Sequence, residues 1–518
     1  MKKRILLSSF FLLLTSAFLC AQKKVHLIST DDWLYDKSLI DAQRLVGNVH
    51  LEYEGTHFFA DSAYLFPNDN FDAFGQIRMN KANEYTLTGR TLHFEEATHT
   101  ATVREDVTLR DGQMTLQTNH LNYHTRTGIA TYQGGGKMVS SKDQNQLTSE
   151  RGSYHSQTQV FYFRNQVQLK NPQYKVYSDT LEYNELNEIA YFFGPTHIVG
   201  DSTRLYCENG YYNTKLDQSR FGKNAQVISG KIKLRGDSIY YNGLLGVGEV
   251  FRNVSITDTT AGVQIHGNYG KHREADAYSF VTEKSWLYQD LGQGDSLFVR
   301  ADSLFLLGEQ ENHHQMRAYH NVSFFHSEIQ GICDSLLFFE KDSLLELHHT
   351  PVMWHSNNQL TCDTVMLYLK NGGPDRMFMR NNAFIVGKAI EKSTVVSDSS
   401  LLHQIKGRNM MGQFVKGEMR TLNVEGNAQL IYFPESDVKE KPHIIGHNKG
   451  DCSQILITLD QRQIQKIRLE NEPRSVYSPL SKVKTDDYLL SGAKWDDELR
   501  PLSSLWIRSF APLLVTDL

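Results

Sequence analysis

Gly294-Asp295-Ser296-Leu297 has the residue order of a serine-esterase nucleophile block, so the first chemistry the chain offers is acyl transfer. Asp-Ser-Leu recurs at 302–304, 334–336 and 342–344, however, which makes it the product of a repeat. No strand-turn-helix context surrounds it, and an elbow nucleophile needs that context. His313-His314 and His348-His349 are adjacent pairs. On a strand such neighbours point to opposite faces and do not chelate together. No Cys or His set has metal-ligand spacing, so neither metal nor cofactor is expected. Gly134-Gly135-Gly136 lacks the Lys-Ser/Thr of a phosphate loop. An acidic residue does recur in most repeats, which leaves open the paired carboxylates of a β-helix polysaccharide lyase. A passive surface scaffold or adhesin is the other alternative. The reading adopted has no catalytic residues.

The elements that carry these residues follow from the repeat. A small residue, an Asp and an apolar alternation recur as Ala60-Asp61-Ser62-Ala63-Tyr64-Leu65, Ser178-Asp179-Thr180-Leu181-Glu182-Tyr183 and Gly236-Asp237-Ser238-Ile239-Tyr240-Tyr241. Ala301-Asp302, Cys333-Asp334 and Cys362-Asp363 continue the series, and Asn119, Glu150 and Glu208 stand in for the Asp. The steps 150→179→208→237 and 334→363 are 29 residues each. A second mark falls half a period away, at Gly47-Asn48-Val49, Gly75-Gln76-Ile77, Asn165-Gln166-Val167, Asn253-Val254, Asn321-Val322, Asn382-Ala383 and Gly426-Asn427-Ala428. Period-two alternation rich in Val, Ile, Tyr, Phe and Thr between the marks predicts strands. The Asp, Asn and Gly marks predict corners, where tight or left-handed backbone is tolerated.

About a dozen to fourteen copies between residues 25 and 475 make an all-β stacked array. An antiparallel meander of bent strands and a parallel β-helix both satisfy the period. The cysteines separate them. Cys333 and Cys362 occupy the same point of consecutive repeats. A parallel β-helix places such positions about 4.8 Å apart, within disulfide reach, and a meander about 9.6 Å apart. With the meander favoured, both thiols are expected to be free. Cys207 shares their repeat position, and Cys452 lies further along.

Composition narrows the class. Hydrophobic residues are 40% and charged residues 22% of the 518, which excludes extended disorder as the main state. The formal charge of −5 excludes a phosphate-binding basic surface, so no nucleic acid is expected as partner. Lys2, Lys3 and Arg4 precede an apolar run from Ile5 to Cys20, which reads as a secretory signal over residues 1–21. Leu19 stands where lipid attachment at Cys20 would want a small residue. An exported, soluble chain is expected.

At the paired marks Gly47-Asn48-Val49 and Ala60-Asp61-Ser62-Ala63-Tyr64, and in their recurrence over residues 25–475, the chain resembles the OstA-like (LptA-like) family of lipopolysaccharide-transport proteins. The resemblance implies an elongated, folded-over antiparallel β-jellyroll of about 13 repeats of about 30 residues. It also implies a periplasmic location, lipopolysaccharide or lipooligosaccharide as cargo, and end-to-end strand addition to homologous components. The chain is longer than the short bridging members and has no following run of barrel strands. The inward residues expected to line a lipid groove are Leu65, Leu92, Phe94, Leu121, Tyr123, Leu181, Tyr183, Ile239, Tyr241, Leu304, Leu306, Leu336, Phe338, Val365 and Leu367. From the residues alone a closed core is an equal alternative. The array is expected over 22–433, with a loop and last repeat-like segment over 434–478 and an irregular aromatic tail over 479–518.

Overall fold

The computed structural model describes residues 25–502, apart from 36, 39, 82–83, 113, 142–144, 171, 173, 261, 293–294, 309–313, 371–372, 390–400, 435, 437–443 and 462. The expected signal segment and Cys20 lie outside the described residues, as do Gly294 and His313. Two compact units divide the chain at Leu186/Asn187.

The first unit contains β1 (His26–Ser29), β2 (Asp32–Tyr35), β3 (Gln43–Tyr53), β4 (Thr56–Leu65), β5 (Phe71–Lys81) and β6 (Tyr85–Glu95). It continues with β7 (Thr100–Asp111), β8 (Met114–His124), β9 (Ile129–Ser140), β10 (Gln146–His155), β11 (Val160–Lys170) and β12 (Tyr174–Asn184). The second unit opens with β13 (Ile189–Gly200), β14 (Thr203–Asn213), β15 (Gln218–Ser229), β16 (Ile232–Asn242), β17 (Val247–Asp258) and β18 (Val263–Arg273). Then come β19 (Tyr278–Gly292), β20 (Asp295–Gly308), β21 (His314–Phe325), β22 (Ile329–Phe339), β23 (Leu344–His348), β24 (Val352–His355) and β25 (Asn358–Thr361). The last are β26 (Thr364–Lys370), β27 (Gly373–Lys388), β28 (Leu402–Val415), β29 (Glu418–Tyr432), β30 (His447–Asp460), β31 (Gln463–Glu470) and β32 (Arg474–Ser478). No described helix is long and apolar enough to cross a membrane.

Every described pairing is antiparallel, from β3–β4 to β29–β30. Neighbouring strands therefore run in opposite directions throughout the described pairings, and a parallel β-helix is excluded. Cys333 and Cys362 behave accordingly. Cys333 is on β22, and β23 and β24 lie between β22 and the β25–β26 strand that Cys362 interrupts. All four described cysteines are free and buried.

The two sequence marks are one structure. Register breaks midway along nearly every long strand, as at Val46/Val49, Arg164/Val167 and Phe251/Val254. The extra residues take left-handed backbone: Asn48 at φ 46°, Asn165 at 62°, Asn253 at 51° and Asn382 at 52°. Asn pays little for this conformation, which explains its recurrence. The acidic mark of a neighbouring strand holds the bulge. Asn253 Nδ2 donates to Asp237 at 2.9 Å, Asn224 to Glu208 at 2.7 Å, Asn321 to Asp302 at 2.8 Å and Asn382 to Asp363 at 3.1 Å. Gly75, at φ 100°, is a close-approach version: a Cβ there would collide with the Asp61 carboxylate, which instead accepts the Gln76 N–H at 3.0 Å. At two corners Pro351 and Pro473 interrupt the strand altogether, separating β23 from β24 and β31 from β32.

Each bulge bends its strand, and the two halves form two layers. Layer one comprises the first halves of odd-numbered long strands and the second halves of even ones; layer two is the rest. In the first unit they lie face to face. Tyr85, in layer two of β6, packs at 4.4 Å on Tyr123, in layer one of β8. Phe58 of layer two meets Phe71 of layer one edge-on at 5.0 Å. Tyr53 Oη lies 2.7 Å from His99 Nδ1 in an opposite hairpin turn, and Arg126 bridges to Glu54 at 2.7 Å, 72 residues away. The fold is a folded-over antiparallel β-jellyroll.

Candidate functional site

The inward face is built by alternation on either side of the bulge. In β3, Leu45 points inward before it, and Val49, Leu51 and Tyr53 do so after it. Pairing carries this parity from strand to strand. By that register all fifteen candidate residues face inward, and all fifteen belong to layer one. Leu92, Phe94, Leu121, Tyr123, Leu181, Ile239, Leu304, Leu336 and Val365 are buried. Leu65, Tyr183, Tyr241, Leu306, Phe338 and Leu367 are half-buried. The opposing wall escaped the sequence reading. It consists of the apolar residues that follow the Asn mark or precede the Asp mark, such as Leu51, Phe58, Met79, Leu87, Leu109 and Leu116. The alternation after Gly-Asn, as in Val49-His50-Leu51, is the signal that finds it.

In the first unit the two walls interlock. Leu109, Asp111, Met114, Leu116 and Met138 face Tyr132, Ser153, Tyr154, Phe161 and Phe163 around a void of about 20 Å³. That is room for about one water molecule. Burial pushes the Asp111 carboxyl above its ordinary range, and a hydrogen bond with Tyr154 opposes the shift.

The first four strands of the second unit differ. Their layer-one residues Phe192, Phe221 and Ile239 remain buried. In layer two the inward residues next to the corner, Thr196, Cys207 and Ala225, are buried, but those farther out are not: Ile198, Leu205, Val227 and Leu234 are half-buried, and Ile232 is 39% exposed. Farther along, Ile256 of β17 and Ile265 of β18 are buried again. The inward face therefore opens along the layer-two half of β13–β16. Its lining is aliphatic, and burying a single methylene there is worth about 0.8 kcal/mol.

The comparisons bear on this stretch. The family described as OstA-like protein matches residues 22–179 and 176–237, so the matched region runs through the first unit and into β16. This region is OstA-like. No curated protein matches the chain. Among solved structures, LptH, the LptA homologous periplasmic component of the lipopolysaccharide transport device from Pseudomonas aeruginosa, is 10% identical, with 33% of this chain and 92% of that chain covered and a TM-score of 0.17. At so slight a likeness the fold rests on the strand pairing itself.

Within the β-array the esterase-like block is a strand start. Asp295 Oδ2 lies 2.7 Å from His326 Nε2, and the other ring nitrogen accepts the Glu328 N–H at 3.3 Å. With both nitrogens engaged, His326 has none left to take a serine proton; the group ties a hairpin turn to a strand end. His348, at the end of β23, contacts Glu346 at 2.9 Å, whereas His349, in the left-handed corner that follows, contacts Asp334 at 3.7 Å. Burial pushes the thiols of Cys207, Cys333 and Cys362 up to about 12, the state of inert packing groups.

Proposed function

We propose that this protein is a periplasmic component of lipopolysaccharide or lipooligosaccharide transport to the outer membrane, sheltering acyl chains against its inward face without catalysis. The observation that carries the reading is the opening of that face along β13–β16, inside a region with the OstA-like pattern. Contact with several methylenes at about 0.8 kcal/mol each holds a glycolipid without ionic help, which suits a chain of negative net charge. Of the layer-one candidates, Ile239 and Tyr241 of β16 form the back wall of this opening, and Ile198, Leu205, Val227 and Leu234 form the lip through which a chain enters. Partners are homologous components joined by strand addition. The β1–β2 edge supports this: its side chains are exposed throughout and include Ile28, Trp33, Leu34 and Tyr35. An unprotected apolar edge is a template for another strand.

A photoreactive residue placed at Leu205 or Leu234 in cells should label lipopolysaccharide on irradiation. The same residue at the outward, exposed His197 should not. Equal labelling at 197, or none at 205 and 234, would reject the groove. Depletion should make newly made glycolipid accumulate short of the outer surface; normal surface delivery in a clean deletion would reject transport and favour a scaffold.

A further inference from the structure

The outward side of layer two in the first unit carries charge of one sign. On β5 the buried Ile77 and Met79 face inward, so Arg78 between them faces out. The same parity turns out Arg110 on β7, Lys137 on β9, Lys170 on β11 and Lys175 on β12, and all five side chains are exposed. Strand pairing sets them in two rows. One row includes Arg78, Thr88, Thr108, Gln117, Lys137 and Thr148, each directly opposite the next. The other, two residues farther from the corner, includes Arg110, Thr115, Gln146, Lys170 and Lys175. No acid occupies either row from β5 to β12. Arg78 lies over the Phe59 ring at 4.3 Å, and none of the five cations is ion-paired with a described residue.

On the outward side of layer one, over the same strands, Arg104, Arg151 and Arg164 are matched by Asp72, Glu95 and Glu182. Further acids stand at the corners, such as Glu105, Asp106, Glu150 and Asp179. A formal charge of −5 over the whole chain therefore conceals a basic face. Within that face Lys170 and Lys175 are directly opposite each other. Like charges so placed repel, and an anion lying between them relieves the repulsion. We propose that the outward side of layer two over β5–β12 is a docking surface for a linear acidic polysaccharide.

Spacing and chemistry select that class. From β5 to β11 a cation falls on every second strand and alternates between the rows, so neighbours stand about 12 Å apart along a face about 34 Å long. Duplex DNA carries a charge every ~1.7 Å, far denser than this face can match. A polysaccharide with carboxylates spaced along its sugars is nearer to it. Between the cations stand threonine hydroxyls and glutamine amides, which hydrogen-bond to sugar hydroxyls and ring oxygens. Neither row contains Leu, Ile, Met, Phe or Trp. The surface therefore lacks the aromatic and aliphatic anchors of a protein interface core or of a face that enters a membrane. The inward face plays no part in it, so the proposal does not depend on the lipid reading.

Two experiments on the full chain test it. Polygalacturonate, a linear carboxylate polymer, should bind at low salt and be released as salt rises, with neutral dextran and duplex DNA binding about tenfold more weakly or not at all. The triple variant Arg110→Gln, Lys137→Gln, Lys170→Gln should lose about tenfold in affinity. Arg104→Gln, Arg151→Gln, Arg164→Gln, on the other layer, should change it by less than about twofold. Lysine acetylation of the wild-type chain, read by mass spectrometry, needs no variant. Saturating polygalacturonate should slow labelling of Lys137, Lys170 and Lys175 about threefold or more and leave the exposed Lys223 and Lys416 unchanged. Absence of binding, equal binding of dextran, tighter binding of DNA, equal loss in the two triple variants, or protection shared evenly by all five lysines would overturn the proposal.

Discussion

Gln404→Leu isolates what the tail contributes. The Gln404 side chain is completely buried on the outward face of β28. Its Nε2 donates to Tyr488 O at 2.7 Å and to Leu402 O at 3.0 Å, and its Oε1 accepts Leu490 N–H at 2.7 Å. Leucine fills a similar volume but leaves the Tyr488 carbonyl and the Leu490 N–H facing an apolar side chain. Each orphaned backbone group costs about 1–3 kcal/mol, so about 2–6 kcal/mol is at stake. Leu480 and Leu490 still pack on Phe384, Val386, Ile431 and Phe433, so the expected response is local release of residues 480–500 with the strands still folded. Amide exchange followed by mass spectrometry reads it. About 3 kcal/mol of lost local stability corresponds to roughly a hundredfold faster exchange, expected across 480–500 and absent from β3–β11. Gln117→Leu, at an exposed outward position of β8, should change stability by no more than about 0.5 kcal/mol. Unaltered protection of 480–500 in Gln404→Leu would show that the glutamine bonds do not hold the tail.

Three further outcomes follow from single sites. Burial lowers the His403 pKa from 6.5 to about 4, and its Nδ1 accepts the Phe433 N–H at 3.3 Å, which requires the neutral ring. The folded state therefore binds fewer protons than the unfolded one: the contribution of His403 is complete above pH 6.5 and is lost as pH falls toward 4, by at most about 3 kcal/mol. Chemical unfolding across that range should be steeper in the wild type than in His403→Gln, and parallel curves would refute the assignment. At the Asn253 bulge both Asn253→Gly and Asn253→Val lose the bond to Asp237, but the valine variant should be the less stable by about 1–3 kcal/mol, because a β-branched side chain resists positive φ. Equal thermal stability of the two variants would show that backbone strain does not select this residue. Iodoacetamide at pH 8 should leave Cys207, Cys333 and Cys362 unlabelled until the protein is denatured, as buried thiols with raised pKa values require; a Cys333–Cys362 disulfide in non-reducing peptide maps would contradict the strand order.

Repeat, strand character and inward wall were legible because each has a local cause. The Asn at a bulge is chosen by left-handed backbone, the acid by the hydrogen bond it accepts, and the apolar alternation by a period-two strand. What escaped has non-local causes. Asn253 and Asp237 stand 16 residues apart, and only the hairpin between them makes them partners. Leu121 could be named as inward because it follows an acidic-type mark at Asn119, yet its opposing layer comes from strands whose alternation follows a different mark. Nor does the sequence distinguish Leu234, at the open lip, from Leu87, in the closed core: both are leucines two residues before a corner glycine, and their exposure is decided by how closely the second layer approaches. The tail is the extreme case. Gln330, Gln359 and Gln404 occupy outward positions where glutamine ordinarily faces water, as Gln117 does. They are buried because a segment more than 80 residues later in the chain returns to meet them. An inward position that opens, such as Leu234, and an outward position that is covered, such as Gln404, thus carry the same local pattern with different long-range cover.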